Sequence, residues 1–273
     1  MNSEMVAVIM SVYDGDNIQY IEQSIDSILS QSYKKLSLFV YLDGVTNDNI
    51  RSYVDGVAKV HSNVYPFYSK ENNGLAYALN YLINKVKAMG DYTYIARMDA
   101  DDISDVERIS EQVTFFKDNP DISILGTNCI EINESGEDVY RKKMPETHSE
   151  LERFIFKRSP MIHPSVMFRG KVIDDIVYNV ELKNTQDYYL WVDLLSKKYK
   201  FHNLQKFLIK FRVADDFYSR RGMGKVLNEM KSRLYAINKL DGKNILNYTY
   251  MVFFFILRVS PVFIKKICYR IMR

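Results

Sequence analysis

Four consecutive residues, Asp99-Ala100-Asp101-Asp102, bring together acidic side chains that could do chemistry. If the backbone there is extended, the two-residue period of a strand places the carboxylates of Asp99 and Asp101 on one side. Two such carboxylates repel each other unless a cation lies between them. Hard oxygen ligands suit Mg²⁺ or Mn²⁺, and Mg²⁺ commonly completes its shell with substrate phosphate. The spacing therefore indicates a site for a divalent cation that binds a nucleoside diphosphate. The alternative is that these acids only stabilise the N-terminus of a helix.

A buried strand must deliver this acidic run, and three similar strands precede it. The continuous apolar run 6–12 predicts a strand that is buried on both faces of a parallel sheet, and further strands are predicted at 36–42, 64–68 and 92–98. Helical spacing of apolar residues predicts helices between them, from Ile18 to about Gln31, from about Asn49 to Val60, and from Leu75 to Gly90. This alternation predicts an α/β fold with a doubly wound, mostly parallel sheet and helices on both faces, which binds ligands beyond the carboxyl ends of its strands.

Three candidate sites fall on such strand ends: Tyr13, Asp43 and the acidic run 99–102. Because the carboxyl ends of parallel strands meet at one edge of the sheet, we expect these side chains to share a crevice. That convergence favours the cation site over the helix-capping alternative.

The second half of the chain has a different pattern. Apolar runs at 122–126, 166–168 and 207–213 predict strands, and a turn at 133–136 predicts a hairpin over 128–139. Ser104-x-x-Glu107 and Thr147-x-x-Glu150 match the capping box at the start of a helix. Asp187 begins another apolar-faced helix.

Composition limits the class of protein. With 273 residues, 47% of them hydrophobic and 26% charged, the chain has the composition of an ordinary globular protein that can bury a core. A net charge of +3 without a basic stripe predicts no nucleic-acid partner. Cys129 and Cys268 form no metal-ligand motif, and 1–12 lacks the features of a signal peptide, so we expect a reduced, cytoplasmic protein.

The C-terminal residues predict amphipathic helices. The apolar run 245–257 would form a helix of only about 20 Å, too short to cross about 30 Å of hydrocarbon. Basic residues then alternate with apolar ones, as in a helix that lies on anionic lipid: Arg258, Lys265, Lys266, Arg270 and Arg273. The alternative is a helix that packs on its own domain or on a partner subunit.

Several motifs together resemble the family 2 glycosyltransferases, inverting enzymes with the GT-A fold, and specifically those of bacterial O-antigen and capsule synthesis. The motifs are Ser11-Val-Tyr13, Ser27-Ile-Leu-Ser-Gln31, Asp43-Gly44, Asn73-Gly-Leu-Ala-Tyr-Ala-Leu-Asn80, Arg97-Met-Asp-Ala-Asp-Asp102 and Gln186-Asp-Tyr-Tyr-Leu-Trp191. The resemblance implies a GT-A domain over 1–222, with a nucleotide-binding half (1–120) and an acceptor-binding half (121–222). Residues 223–273 would form a helical, membrane-associating tail.

The resemblance also implies roles at the donor site. Asp43 corresponds to the acid that binds uracil, Asp99 to the acid that contacts ribose, and Asp101 to the ligand of Mn²⁺ or Mg²⁺. The remaining residues expected near the donor nucleotide are Ser11, Val12, Tyr13, Asn73, Arg97 and Ala100. The alternatives are an ordinary Asp-Gly turn at Asp43 and a structural ion pair for Arg97.

On the acceptor side, Asp187 resembles the general base that takes the proton of the attacking hydroxyl; the alternative is a helix N-cap. His163 and Trp191 are candidate acceptor contacts, against a hydrogen-bonded loop histidine and a core tryptophan. Many relatives carry a histidine shortly after the arginine that corresponds to Arg212, and this chain has none. Four charged residues that follow are candidate contacts to the diphosphate or the metal: Asp215, Asp216, Arg220 and Arg221.

The function implied is transfer of a sugar from UDP-galactose, UDP-glucose or a UDP-N-acetylhexosamine to a lipid-linked saccharide at the inner face of the cytoplasmic membrane. A single displacement would form a β-linkage. A sugar-phosphate nucleotidyltransferase is one alternative, although the acidic segment 13–16 differs from a basic phosphate loop. A non-catalytic scaffold subunit is the other. The sequence specifies no oligomeric state.

Overall fold

A computed structural model describes residues 4–90, 92–182, 184–213 and 223–260. Four parallel strands form the first half of the sheet: β1 (Met5–Tyr13), β2 (Leu36–Asp43), β3 (Val64–Tyr68) and β4 (Tyr92–Asp99). The helices that connect them are α1 (Ile18–Leu29), α2 (Asp48–Val60) and α3 (Leu75–Met89). These elements follow the predicted order and lie within two residues of the predicted bounds.

The second half of the chain extends the same sheet. Its strands are β5 (Ile103–Ser104), β6 (Ile122–Ile132), β7 (Asp138–Lys142), β8 (Met167–Arg169) and β9 (Lys200–Arg212). Its helices are α4 (Arg108–Asp118), α5 (His148–Phe154), α6 (Gln186–Ser196), α7 (Met223–Lys239) and α8 (Ile245–Val259). The strand order is β3-β2-β1-β4-β8-β6-β9-β5, with β7 paired to β6.

Alternation along β1 explains why both faces of the sheet are covered. Val8 and Met10 point into a core with α1, α2 and α4, whereas Ala7 and Ile9 point into a second core with α3 and α6. A strand with apolar residues on both sides can be buried only between two helical layers. The mixed, mostly parallel sheet with helices on both faces confirms the predicted fold class.

The strand β8 enters the sheet between β4 and β6 and runs antiparallel to both. It therefore links the two halves of the chain by direct strand pairing, with Ala96 opposite Met167 and Leu125 opposite the same residue. The Arg97 backbone N–H continues this contact by donating to the Val166 carbonyl at 2.8 Å.

Two local predictions differ in outcome. The capping box at Thr147 and Glu150 is confirmed at the start of α5. The one at Ser104 is wrong, because Ser104 lies in β5 opposite Ile209 and its hydroxyl accepts from the Gln31 amide at 3.2 Å. The helix α4 begins only at Arg108.

Of the two C-terminal helices, α7 packs on the domain and α8 packs on α7. On α7, Ala236 belongs to the core beside α6, and the Tyr235 hydroxyl donates to Asp193. α8 packs on α7, where Arg258 pairs with Glu229 at 2.8 Å. Across the described residues, no helix combines the length and the apolar character needed to cross a membrane.

Candidate active site

A cleft of about 330 Å³ opens at the carboxyl ends of β1, β2 and β4. Its volume lies at the lower end of the range of about 300–1,000 Å³ for small-molecule sites. The residues that line it are Ser11, Tyr13, Asp16, Asp43, Asn72, Gly74, Leu75, Asp99, Ala100 and Asp101. Six of the predicted donor-site and metal-site residues are therefore brought together here.

Parallel register accounts for this convergence. Tyr13 lies opposite Asp43 on β2, and Ser11 lies opposite Asp99 on β4. Because Ser11 and Tyr13 are two residues apart, they point to the same face of the strand. Val12 points to the other face, is fully buried in the core and does not line the cleft. The buried side chain leaves only the Val12 backbone for a contact with the nucleotide, and that contact stays a prediction.

Asp43 holds the loop that forms one wall of the cleft. Its two carboxylate oxygens accept the backbone N–H groups of Asn73 and Gly74, each at 2.8 Å. The Asn73 side chain turns away and donates to the Ser69 hydroxyl at 3.0 Å and to the Glu71 carbonyl at 2.8 Å. Asn73 thus shapes the wall through its backbone, and the neighbouring Asn72 and Gly74 line the cleft.

The acidic turn after β4 has the geometry of a cation site. Asp99, Asp101 and Asp102 each offer a carboxylate oxygen, and these oxygens lie within 4.8 Å of one another. Asp101 is exposed to the cleft, whereas Asp102 is buried. Burial, and then the charge of Asp101, raises the pKa of Asp102 well above its ordinary value.

One oxygen in this turn lacks a hydrogen bond. Asp102 accepts the Arg212 backbone N–H with Oδ1 at 2.9 Å, while its buried Oδ2 has no hydrogen-bond partner among the described residues. An all-carboxylate ligand set with a spare buried oxygen fits a hard divalent cation such as Mg²⁺ or Mn²⁺.

Sequence reasoning missed Asp16, which also lines the cleft. Its carboxylate accepts the Tyr13 backbone N–H at 3.0 Å, so the turn after β1 folds the side chain back toward the acidic turn. Burial, with a contribution from the charge of Asp101, raises the pKa of Asp16 to about 7. The signal in the sequence is a second acid three residues after Tyr13, just after the end of the strand that carries Tyr13 to the cleft.

Arg97 lies beneath the cleft, 1% exposed, and forms an ion pair with Asp99. This is the structural ion pair given as the alternative to a donor contact. The Arg97 charge also acts on Asp187, His163 and Tyr178, so this buried cation lies between the acidic turn and a second group of polar residues.

Asp187 belongs to that second group and lies in the first turn of α6. The N-cap of this helix is Thr185, so Asp187 is not the cap. Burial raises the pKa of Asp187, an effect that nearby backbone N–H groups and Arg97 oppose. Asp187 does not line the cleft itself. Its charge interacts with that of Arg97, which lies beneath the cleft.

His163 and Trp191 complete the second group. The His163 Nε2 atom and the Tyr178 hydroxyl are hydrogen-bonded at 2.8 Å, which fits the alternative of a hydrogen-bonded loop histidine. Trp191 is fully buried, with its ring 5.9 Å from His163 and 6.0 Å from Phe168. A side chain without exposed surface cannot contact an acceptor, so Trp191 is a core residue and that expectation is corrected.

Four predicted residues lie outside the described part of the chain: Asp215, Asp216, Arg220 and Arg221. Their proposed contacts with the diphosphate or the metal stay predictions.

Comparison with known proteins places this chain in a family. The family described as Glycosyl transferase family 2 matches residues 7–176, which include most of β1 and the acidic turn. The chain belongs to glycosyl transferase family 2. An uncharacterized glycosyltransferase of Methanocaldococcus jannaschii is 27% identical over 98% of this chain and 93% of its own length. The O-antigen biosynthesis glycosyltransferase WbnJ of Escherichia coli is 32% identical over 77% of this chain and 80% of its own length.

Solved structures agree on the fold. TarS of S. aureus, crystallised with UDP-GlcNAc, matches 94% of this chain and 82% of its own with a TM-score of 0.62 and 14% identity. The mannosyltransferase PcManGT of Pyrobaculum calidifontis, in complex with GDP-Man and Mn²⁺, matches 88% of this chain and 64% of its own with a TM-score of 0.59 and 15% identity. This family 2 glycosyltransferase therefore has the GT-A fold.

Proposed function

We propose that this family 2 glycosyltransferase transfers a hexose or N-acetylhexosamine from a UDP-sugar to a lipid-linked saccharide during synthesis of a cell-surface polysaccharide. The observation that carries the proposal is the convergence of Tyr13, Asp43, Asp99 and Asp101 on one cleft. The names of two similar proteins support the same class, since WbnJ is an O-antigen enzyme and TarS binds UDP-GlcNAc.

The donor nucleotide would lie across the strand ends. Tyr13 is 47% exposed and offers a ring face for the base beside Asp43. Both Asp43 oxygens already accept a backbone N–H, but each carboxylate oxygen has a second lone pair that can accept from uracil. Asp99, opposite Ser11 on β1, would accept from the ribose hydroxyls.

The acidic turn would hold Mn²⁺ or Mg²⁺ through Asp101, with Asp99 and Asp102 within reach of the same ion. When bound, such an ion offsets the negative charge that grows on the leaving diphosphate. Because Asp101 would hold this ion, both the binding and the release of UDP would depend on the orientation of the Asp101 carboxylate.

Asp187 would act as the general base. It would take the proton of the acceptor hydroxyl as that oxygen attacks the anomeric carbon and the bond to UDP breaks on the opposite side. The burial that raises the pKa of this carboxyl makes it a stronger base than an exposed aspartate. One displacement inverts the anomeric centre, so an α-linked donor gives a β-linked product.

Replacing Asp187 with asparagine tests this role. We expect UDP affinity within twofold of the wild type and a transfer rate lower by about 10²-fold or more. Unchanged transfer would remove Asp187 from the mechanism.

Donor class is tested by a thermal-shift screen of UDP-sugars with Mn²⁺, since a ligand that binds only the folded state stabilises it. We expect one UDP-sugar to raise the melting temperature and to release UDP, and Asp101→Ala to abolish that release. Pyrophosphate release from a nucleoside triphosphate would favour the nucleotidyltransferase. Tight UDP binding without turnover on any acceptor would favour the scaffold.

We also propose that α8 attaches the protein to the inner face of the cytoplasmic membrane. One side of α8 packs on α7, and the other exposes six large apolar residues: Ile245, Leu246, Tyr248, Val252, Phe253 and Ile256. The sequence that follows carries Lys265, Lys266, Arg270 and Arg273, a charge that complements anionic headgroups. An apolar helix face next to cations fits a lipid surface, where a lipid-linked acceptor would also lie.

Flotation with phosphatidylglycerol vesicles tests this attachment. We expect the wild type to float with the vesicles and V252E/F253E to bind them at least about 10-fold more weakly, because two half-exposed apolar side chains are lost. Val60→Glu is the matched control, since Val60 is an exposed valine on α2. Equal binding of all three proteins would refute a role for α8.

A further inference from the structure

Arg212, the last residue of β9, connects four separate parts of the domain. Its Nε donates to the Asp101 carbonyl at 2.9 Å. Its Nη1 donates to the carbonyls of Asn133 and Glu134 at 3.1 and 3.0 Å, and its Nη2 donates to the Gln23 side chain at 2.9 Å. All three guanidinium nitrogens are therefore engaged, and the residue is only 8% exposed.

Two further contacts fix the same residue. Its backbone N–H donates to the Asp102 carboxylate at 2.9 Å, and its guanidinium carbon lies 3.8 Å from the centre of the Tyr20 ring. Tyr20 and Gln23 are both on α1, and residues 133–134 form the turn between β6 and β7. The Arg212 Nε thus holds the acidic turn, and the other two guanidinium nitrogens are anchored to α1 and to the turn between β6 and β7.

The bonds to the acidic turn have a directional effect. Arg212 holds the Asp101 carbonyl and one Asp102 oxygen from inside the protein, while the Asp101 side chain lines the cleft. Rotation of the turn would break both bonds, so Arg212 restrains the direction in which the Asp101 carboxylate points.

We propose that Arg212 is a positioning residue that aims the Asp101 carboxylate at the divalent cation. This inference rests on the proposed cation site and adds to it the residue that sets its geometry. A lysine could not replace it, because a single ammonium group lacks the planar fork that reaches three sites at once. Loss of an outer-shell partner commonly lowers metal affinity by about 10- to 100-fold.

The molecule offers a matched control in Arg169. Its guanidinium also donates to three backbone carbonyls, those of Ile122, Phe116 and Asn119, and it stacks on Phe116. Arg169 lies opposite Tyr94 near the start of β4, whereas the acidic turn follows the end of that strand. Arg169→Lys therefore removes a comparable set of bonds away from the cleft.

The experiment measures UDP affinity of the full chain with and without Mn²⁺, together with urea stability. In the wild type we expect Mn²⁺ to strengthen UDP binding. In Arg212→Lys we expect the Mn²⁺-dependent part to weaken at least 10-fold, while affinity without Mn²⁺ stays within twofold. In Arg169→Lys we expect lower stability and an unchanged response to Mn²⁺.

Two results would overturn the inference in different ways. If the wild type responds to Mn²⁺ and Arg212→Lys responds equally, or no less than Arg169→Lys, then Arg212 has only a structural role and the proposed function stands. If UDP binding of the wild type is indifferent to Mn²⁺, the proposed cation site fails and the positioning role fails with it.

Discussion

Replacement of Asp43 by asparagine tests whether its carboxylate holds the wall of the cleft. The two oxygens accept N–H groups from Asn73 and Gly74, each at 2.8 Å. The asparagine amide has one acceptor oxygen and one NH₂ group, so one backbone N–H loses its acceptor and faces another donor. Residue 43 is 2% exposed, so water does not replace the lost bond.

The expected cost follows from these contacts. A hydrogen bond to a charged group contributes about 1.5–3 kcal/mol, and a buried donor without an acceptor costs about 1–3 kcal/mol. Because the two effects overlap, we expect Asp43→Asn to lower the free energy of unfolding by about 2–4 kcal/mol. The one tryptophan of the sequence, Trp191, is fully buried, so its fluorescence can follow unfolding in urea.

Asp14→Asn is the matched control for this measurement. The Asp14 carboxylate accepts from both Thr46 and Asn47, but the residue is exposed and water can take over its bonds. We therefore expect a smaller loss of stability than for Asp43→Asn. If the two variants unfold at the same urea concentration, or if Asp43→Asn matches the wild type, the reasoning about the buried carboxylate is refuted.

Three further predictions concern other parts of the domain. Gly44 has a φ of +66°, and an added methyl group would collide with the backbone of Asn72. Gly44→Ala should therefore lower the urea concentration at the midpoint of unfolding, and an unchanged midpoint would contradict this prediction. Burial, and then the charge of Arg97, holds the pKa of His163 well below 6.5. As the pH falls below 6.5, the His163 imidazole is protonated in the unfolded chain before it is protonated in the folded one. The free energy of unfolding is therefore highest above pH 6.5 and decreases by up to about 1.4 kcal/mol per pH unit as the pH falls. His163→Gln should lack this part of the pH dependence in urea titrations at pH 5 and 8. Burial raises the pKa of Cys129 to about 12, so iodoacetamide at pH 8 should label it only after unfolding, as read by peptide mass spectrometry.

The strands that deliver the site could be predicted from the sequence because their signal is local. Continuous apolar runs ending in Tyr13, Asp43 and Asp99 specify buried strands, and parallel pairing then brings those ends together. The prediction extended to the shared edge of the sheet, whereas the residue-by-residue register that pairs Tyr13 with Asp43 is known only from the structure.

Contacts between distant segments could not be predicted in this way. Ser104 matches a capping box locally, but pairing with β9 and the bond to Gln31 draw it into a strand instead. Arg212 gives no local sign that it holds a turn 111 residues earlier. The separation of Asp187 from the cleft lining, with Arg97 between it and the acidic turn, likewise depends on tertiary packing that no spacing reveals.

The insertion of β8 beside β4 also has a consequence for synthesis of the chain. Residues 92–99 have β1 on one side, but their other edge stays open until residues 167–169 leave the ribosome and pair with it. An unprotected strand edge invites pairing with other chains. We therefore expect a fragment ending near residue 120, which lacks the strand that covers this edge, to aggregate when it is produced alone.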